Sequence, residues 1–74
     1  MTGKELVEFA RNAPNRRDYA NILARFIRKN EAYVVSSLEK AGYSQTSIDF
    51  LREAIEYPTD PNHIRKMEKM LSNI

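Results

Sequence analysis

"AYVVSSL", Ala32 to Leu38, is the stretch on which the fold class turns. One tyrosine and two adjacent valines are residues that suit a pleated strand. A strand needs a partner, and no second strand-like run occurs in the 74 residues. An isolated strand would leave its amides and carbonyls unpaired. The stretch therefore reads as helix, with Val34, Leu38 and Ala41 turned inward. The remaining segments then assemble into an all-α chain.

Downstream, Gly42 suits the left-handed position that ends a helix, and Tyr43 can fold back onto Leu38 as a Schellman contact. Thr46 and Asp49 have the spacing of a capping box. They would open a helix with Ile48, Leu51, Ala54 and Ile55 on one side, ending near Tyr57-Pro58. Asp60 followed by Pro61 marks another start, a cap and then a residue that needs no amide partner. The last helix would bury Ile64, Met67 and Leu71, with Ile74 at its end and Arg65, Lys66 and Lys69 outside.

Upstream lies the most regular amphipathic pattern of the chain. At about 100° per residue, Tyr19, Ile22, Leu23, Phe26 and Ile27 form one apolar arc. Arg17, Asn21, Arg25, Arg28 and Lys29 fall opposite, with Asp18 the only acid among them. Asn15 can cap this helix, and Asn30 interrupts it, either starting a third helix or bending a single helix that runs on to Ala41. Before it, Thr2 and Glu5 fit a capping box, Leu6, Phe9, Ala10 and Ala13 follow at helical spacing, and Pro14 stops the first helix. Four or five short helices with brief connections predict a single all-α bundle over residues 1–74, with a helix-turn-helix-like corner around Gly42.

A chain this short makes one domain whose core is small, and pairing of two copies would add buried area, so a homodimer is among the expected states. There is no cysteine, which removes disulfides and thiolate zinc sites and fits a reducing, cytoplasmic setting. No apolar run approaches the ~20 residues needed to span a bilayer. The net charge of +2 is small, but it is unevenly spread. Residues 1–30 hold seven basic and three acidic residues, whereas residues 42–60 hold four acids against Arg52. A basic front half thus precedes an acidic segment, and the two either pair internally or form separate exterior surfaces.

Catalytic chemistry has little to draw on. His63 is the single histidine, and Ser44 and Ser47 lie in no nucleophile motif. Asp49, Glu53 and Glu56 share one helix face, which suits a solvated surface with Arg52 as internal partner better than a cleft or a calcium loop. Gly3 and Gly42 form no phosphate-cradling loop. The chain reads as non-enzymatic, with no catalytic, cofactor or metal residues.

Two surfaces remain for binding. Arg17, Arg25 and Arg28 have no acid at i+4, and arginine suits forked contacts with carboxylate or phosphate. On the later helix, Asp49 and Glu53 border Phe50 and Tyr57, an aromatic pair seven residues apart that could form a ridge for another protein. The membrane is not an expected partner, because the apolar arc of the arginine-bearing helix is needed for the core.

Gly42, Tyr43, Ile48 and Leu51 also stand where a helix-turn-helix places its turn glycine and the apolar residues that lock its two helices. In this the segment resembles the helix-turn-helix family, with Leu38 and Ser37 departing from the usual small and apolar residues before the glycine. The resemblance implies a DNA reader in which Ser44, Gln45, Thr46 and Arg52 face the bases, with Arg17, Arg25 or Arg28 on phosphates. Asp49 and Glu53 would turn toward the phosphates and oppose the charge attraction that dominates DNA affinity. The first expectation is therefore a regulatory protein, an inhibitor or adaptor, that binds another protein through Arg17, Arg25, Arg28, Asp49, Phe50, Glu53 and Tyr57. A DNA-binding transcriptional regulator is the second.

Overall fold

A computed structural model describes all residues, 1–74, as five α-helices: α1 (Gly3–Ala10), α2 (Arg16–Lys29), α3 (Glu31–Lys40), α4 (Gln45–Ala54) and α5 (Pro61–Ser72). Asn30 separates α2 from α3. Its backbone leaves the helical region (φ −124°, ψ 36°), and its amide and side-chain Nδ2 both donate to the Phe26 carbonyl, at 2.9 and 3.0 Å. The Asn30 carbonyl in turn accepts from the Val34 amide. One residue thus closes one helix and opens the next. Ala32 to Leu38 lies within α3, with Val34 and Leu38 buried and Ala41 exposed as the helix cap.

Every other start has a side-chain cap. Thr2 and Glu5 form the reciprocal capping box, at 2.8 and 3.1 Å. The Asn15 side-chain oxygen accepts from the Asp18 amide at 2.8 Å. Asp60 accepts from the amides of Asn62 and His63, with Pro61 in the first turn. The cap of α4 is Ser44, whose hydroxyl accepts from the Ser47 amide, and not Thr46 as the Thr46/Asp49 spacing predicts. Gly42 takes the left-handed conformation, φ 93°. The amide of Tyr43 bonds to Leu38 O at 3.0 Å and that of Gly42 to Glu39 O at 3.1 Å, the paired bonds of a Schellman turn.

The core is a cluster of 17 residues drawn from all five helices, and no polar or charged residue is buried in it. α5 sits at the centre, packed against α1, α2 and α4, so it buries a wide arc of Ile64, Met67, Met70 and Leu71. Met70 widens the expected inward set, because a helix with neighbours on several sides uses more of its circumference.

Small residues set how α1 and α2 roll. A Cβ added to Gly3 would lie 2.5 Å from Leu71 O, so α1 and α5 meet at backbone distance. α1 accordingly buries Gly3, Leu6, Val7 and Ala10 and leaves Phe9 58% exposed. In α2, Ala20 and Ala24 are buried with Tyr19, Leu23 and Ile27, while Ile22 and Phe26 sit half-buried at the margin. No helix is long and apolar enough to cross a membrane.

Candidate functional site

The arginine face of α2 is exposed at Arg17, Arg25 and Arg28. It does not pair with the acids of α4. Arg28 instead donates to the backbone carbonyl of Ile55 at 2.9 Å, supplying a cation to the carbonyl end of α4. Ion pairs within 4.0 Å are made by Arg52 alone, with Glu31 at 3.3 Å and Asp49 at 3.9 Å. Arg17, Arg25, Glu53 and Glu56 are therefore exposed charges without ion-pair partners. Through Arg28 and Ile55 the basic face meets the C-terminal end of the acidic helix, so two surfaces of opposite sign share an edge.

On α4, Gln45, Thr46, Asp49 and Glu53 are exposed. Gln45 donates its side-chain amide to Asp49 at 2.9 Å. The Ser44 hydroxyl is engaged as the helix cap, and Arg52 is held by two carboxylates. Of the four groups expected to read DNA, Thr46 alone has no side-chain bond. Arg28, moreover, lies beside the C-terminus of α4, at the far end from the Ser44–Thr46 tip.

Phe50 and Tyr57 occupy different depths. Phe50 is half-buried in the seam between α4 and α5, edge-on to His63 at 5.5 Å, with the Lys66 ammonium 5.9 Å from its ring centre. Tyr57 follows α4 in the turn and is 68% exposed. The Tyr57 carbonyl lies 2.7 Å from Nδ1 of His63, which consequently donates at that nitrogen. His63 thereby links the two aromatics and pins the turn to α5. No three His, Asp or Glu side chains converge as a metal set.

One surface is not apparent from the sequence. Phe9, Ile22 and Phe26 line a shallow groove between α1 and α2, with Arg25 and Lys29 at its edge. Phe26 packs edge-on against Tyr33 of α3 at 6.4 Å, which extends the apolar strip to a third helix. Tyr33 is 39% exposed, and its hydroxyl donates to Ile74 O at 3.1 Å. The apolar arc of α2 is thus not wholly consumed by the core. The available signal was the alanine pair Ala20/Ala24, which draws the buried arc away from Ile22 and Phe26. No protein-family model, curated protein or solved structure matches this chain.

Proposed function

We propose that this chain is a small non-enzymatic regulatory protein, an inhibitor or adaptor of the cytoplasm, that acts by docking a rigid helical surface on another protein. The supporting observation is that Arg17 and Arg25 stand exposed on a long, capped helix with no acidic partner inside the molecule. Fixed charges that the fold does not consume are available to a partner, and they steer association as well as hold it. Glu53, Glu56 and Tyr57 offer a second, acidic edge next to it.

A photo-cross-linking residue at position 17, with Lys40 as the control position, tests this reading in cells. The expected result is one protein captured from position 17, lost in Arg25→Glu and absent from position 40. Equal capture from both positions overturns it.

The second reading is a DNA-binding regulator, favoured by the Schellman turn at Gly42 and the burial of Ile48 and Leu51, which lock α3 on α4. Titration with random duplex DNA at about 50 and 200 mM salt separates the two. A binding constant that falls steeply with salt and weakens in Arg25→Ala supports DNA. No binding at the lower salt removes it.

A further inference from the structure

We propose that the strip formed by Phe9, Ile22, Phe26 and Tyr33 is a docking groove for an acidic amphipathic helix of a partner protein. It rests on the protein-binding reading above and names the chemistry of the partner.

The strip is uncovered, and it is the place where two of the four exposed large hydrophobics, Phe9 and Tyr33, border further half-buried apolar side chains. Seventeen apolar side chains are buried together, yet Phe9 and Tyr33 remain 58% and 39% exposed, and Ile22 and Phe26 are half-buried between them. Ile22 and Phe26 lie one turn apart on α2, and Phe9 and Tyr33 extend the strip on either side. This layout suits a helix that presents apolar anchors at i, i+4 and i+7.

Charge selects the partner. Arg25 and Lys29 are the charged residues lining the groove, and neither makes an ion pair. Of the two acids of α1, Glu5 is held by the Thr2 amide at 2.8 Å, and neither Glu5 nor Glu8 lines the groove or forms an ion pair. A helix flanked by aspartate or glutamate would satisfy both cations over an apolar floor. A second copy docked about a two-fold axis through the groove would set Arg25 and Lys29 against themselves, which like-charge repulsion opposes.

The test uses the full chain and two synthetic helices of about 16 residues with identical leucine anchors, one flanked by glutamates and the other by lysines. Binding is followed by fluorescence anisotropy and by the backbone amide resonances of Phe9, Ile22 and Phe26. The glutamate peptide should bind, with the lysine peptide at least about tenfold weaker. Phe9→Ser removes an exposed ring and should weaken binding by about tenfold or more while leaving the circular dichroism melt in place. Arg25→Glu should reverse the peptide preference.

Equal binding of both peptides, unmoved Phe9 and Phe26 resonances, or indifference to Phe9→Ser would each overturn the proposal. So would Phe9-dependent sedimentation with phosphatidylserine vesicles without peptide preference, which points to a membrane. A dimer abolished by Phe9→Ser would overturn it in favour of a second copy. Capture from position 17 together with silent peptides would reject the groove and leave the protein-binding reading standing.

Discussion

The two glycines are required for different reasons, and substitution separates them. Gly42 holds φ 93°, and a methyl placed there would have nothing within 4 Å, so alanine meets only the left-handed backbone penalty. Gly42→Ala should lower stability by about 1 kcal/mol, with Gly42→Asn recovering part of it, measured by urea unfolding. Gly3→Ala instead drives a methyl into the Leu71 carbonyl and the Ile74 side chain, at 2.5 and 2.6 Å. Its cost, about 1–3 kcal/mol, comes from pushing α1 off α5. Tyr19 makes a third residue-scale case. Its ring is buried and its hydroxyl donates to Glu68. Burial first, then the Glu68 carboxylate, pushes the phenol up to about 12. A raised folded-state value means stability that is intact below the unfolded phenol's range near 10 and lost as pH climbs through the folded one. Wild type should therefore destabilise between about pH 10 and 12, whereas Tyr19→Phe should show a flatter profile there. Parallel profiles for the two proteins would reject this account.

At the scale of elements, the caps carry much of what the sequence makes legible, because each is a local contract between residues two or three apart. Thr2/Glu5, Asn15/Asp18, Asp60/Pro61 and the Gly42 turn all stand where their spacing puts them. Asp60→Ala should cost about 1 kcal/mol by freeing two amides of α5, and should broaden the His63 and Phe50 resonances as the first turn frays. A melt unchanged from wild type would count against the cap. Glu5 behaves similarly with pH. The Thr2 backbone amide, then its hydroxyl, hold this carboxyl below its usual value, so the contribution is present above the ordinary glutamate range and is lost on acidification through the lowered value. The roll of each helix was less legible. Counting large apolar residues puts Phe9, Ile22 and Phe26 inward, whereas Gly3, which meets α5 at backbone distance, and Ala10, Ala20 and Ala24 take the buried positions. Close approach depends on the neighbouring helix, which lies elsewhere in the chain. The same limit applies to the candidate site. Arg17 and Arg25 were recognisable from their spacing, but the Phe9 groove is assembled across α1, α2 and α3.

Across the whole molecule, the first helix and the last are packed face to face, and α5 joins α1, α2 and α4. The core therefore has no subset of helices that could stay folded once α5 leaves, and unfolding should be a single cooperative step. Leu71 is the sharpest probe. It is fully buried, and its carbonyl is the one that Gly3 approaches. Leu71→Ala should remove about 2–5 kcal/mol, against a total of about 4–11 kcal/mol for a chain of this length. The variant should be marginal or unfolded if the total lies near about 4 kcal/mol, and folded with a clearly lowered urea midpoint if it lies near about 11 kcal/mol. Helix content by circular dichroism and the native amide resonance of Tyr19 should be lost together, because α2 and α5 share one core. Two separated transitions would mean that α1 and α5 form a detachable clasp. That outcome would also weaken the docking groove, since Phe9 is held beside Ile22 by the packing of α1 on both α2 and α5. A coincident loss ties the rigidity of the arginine face and the groove to the same closure.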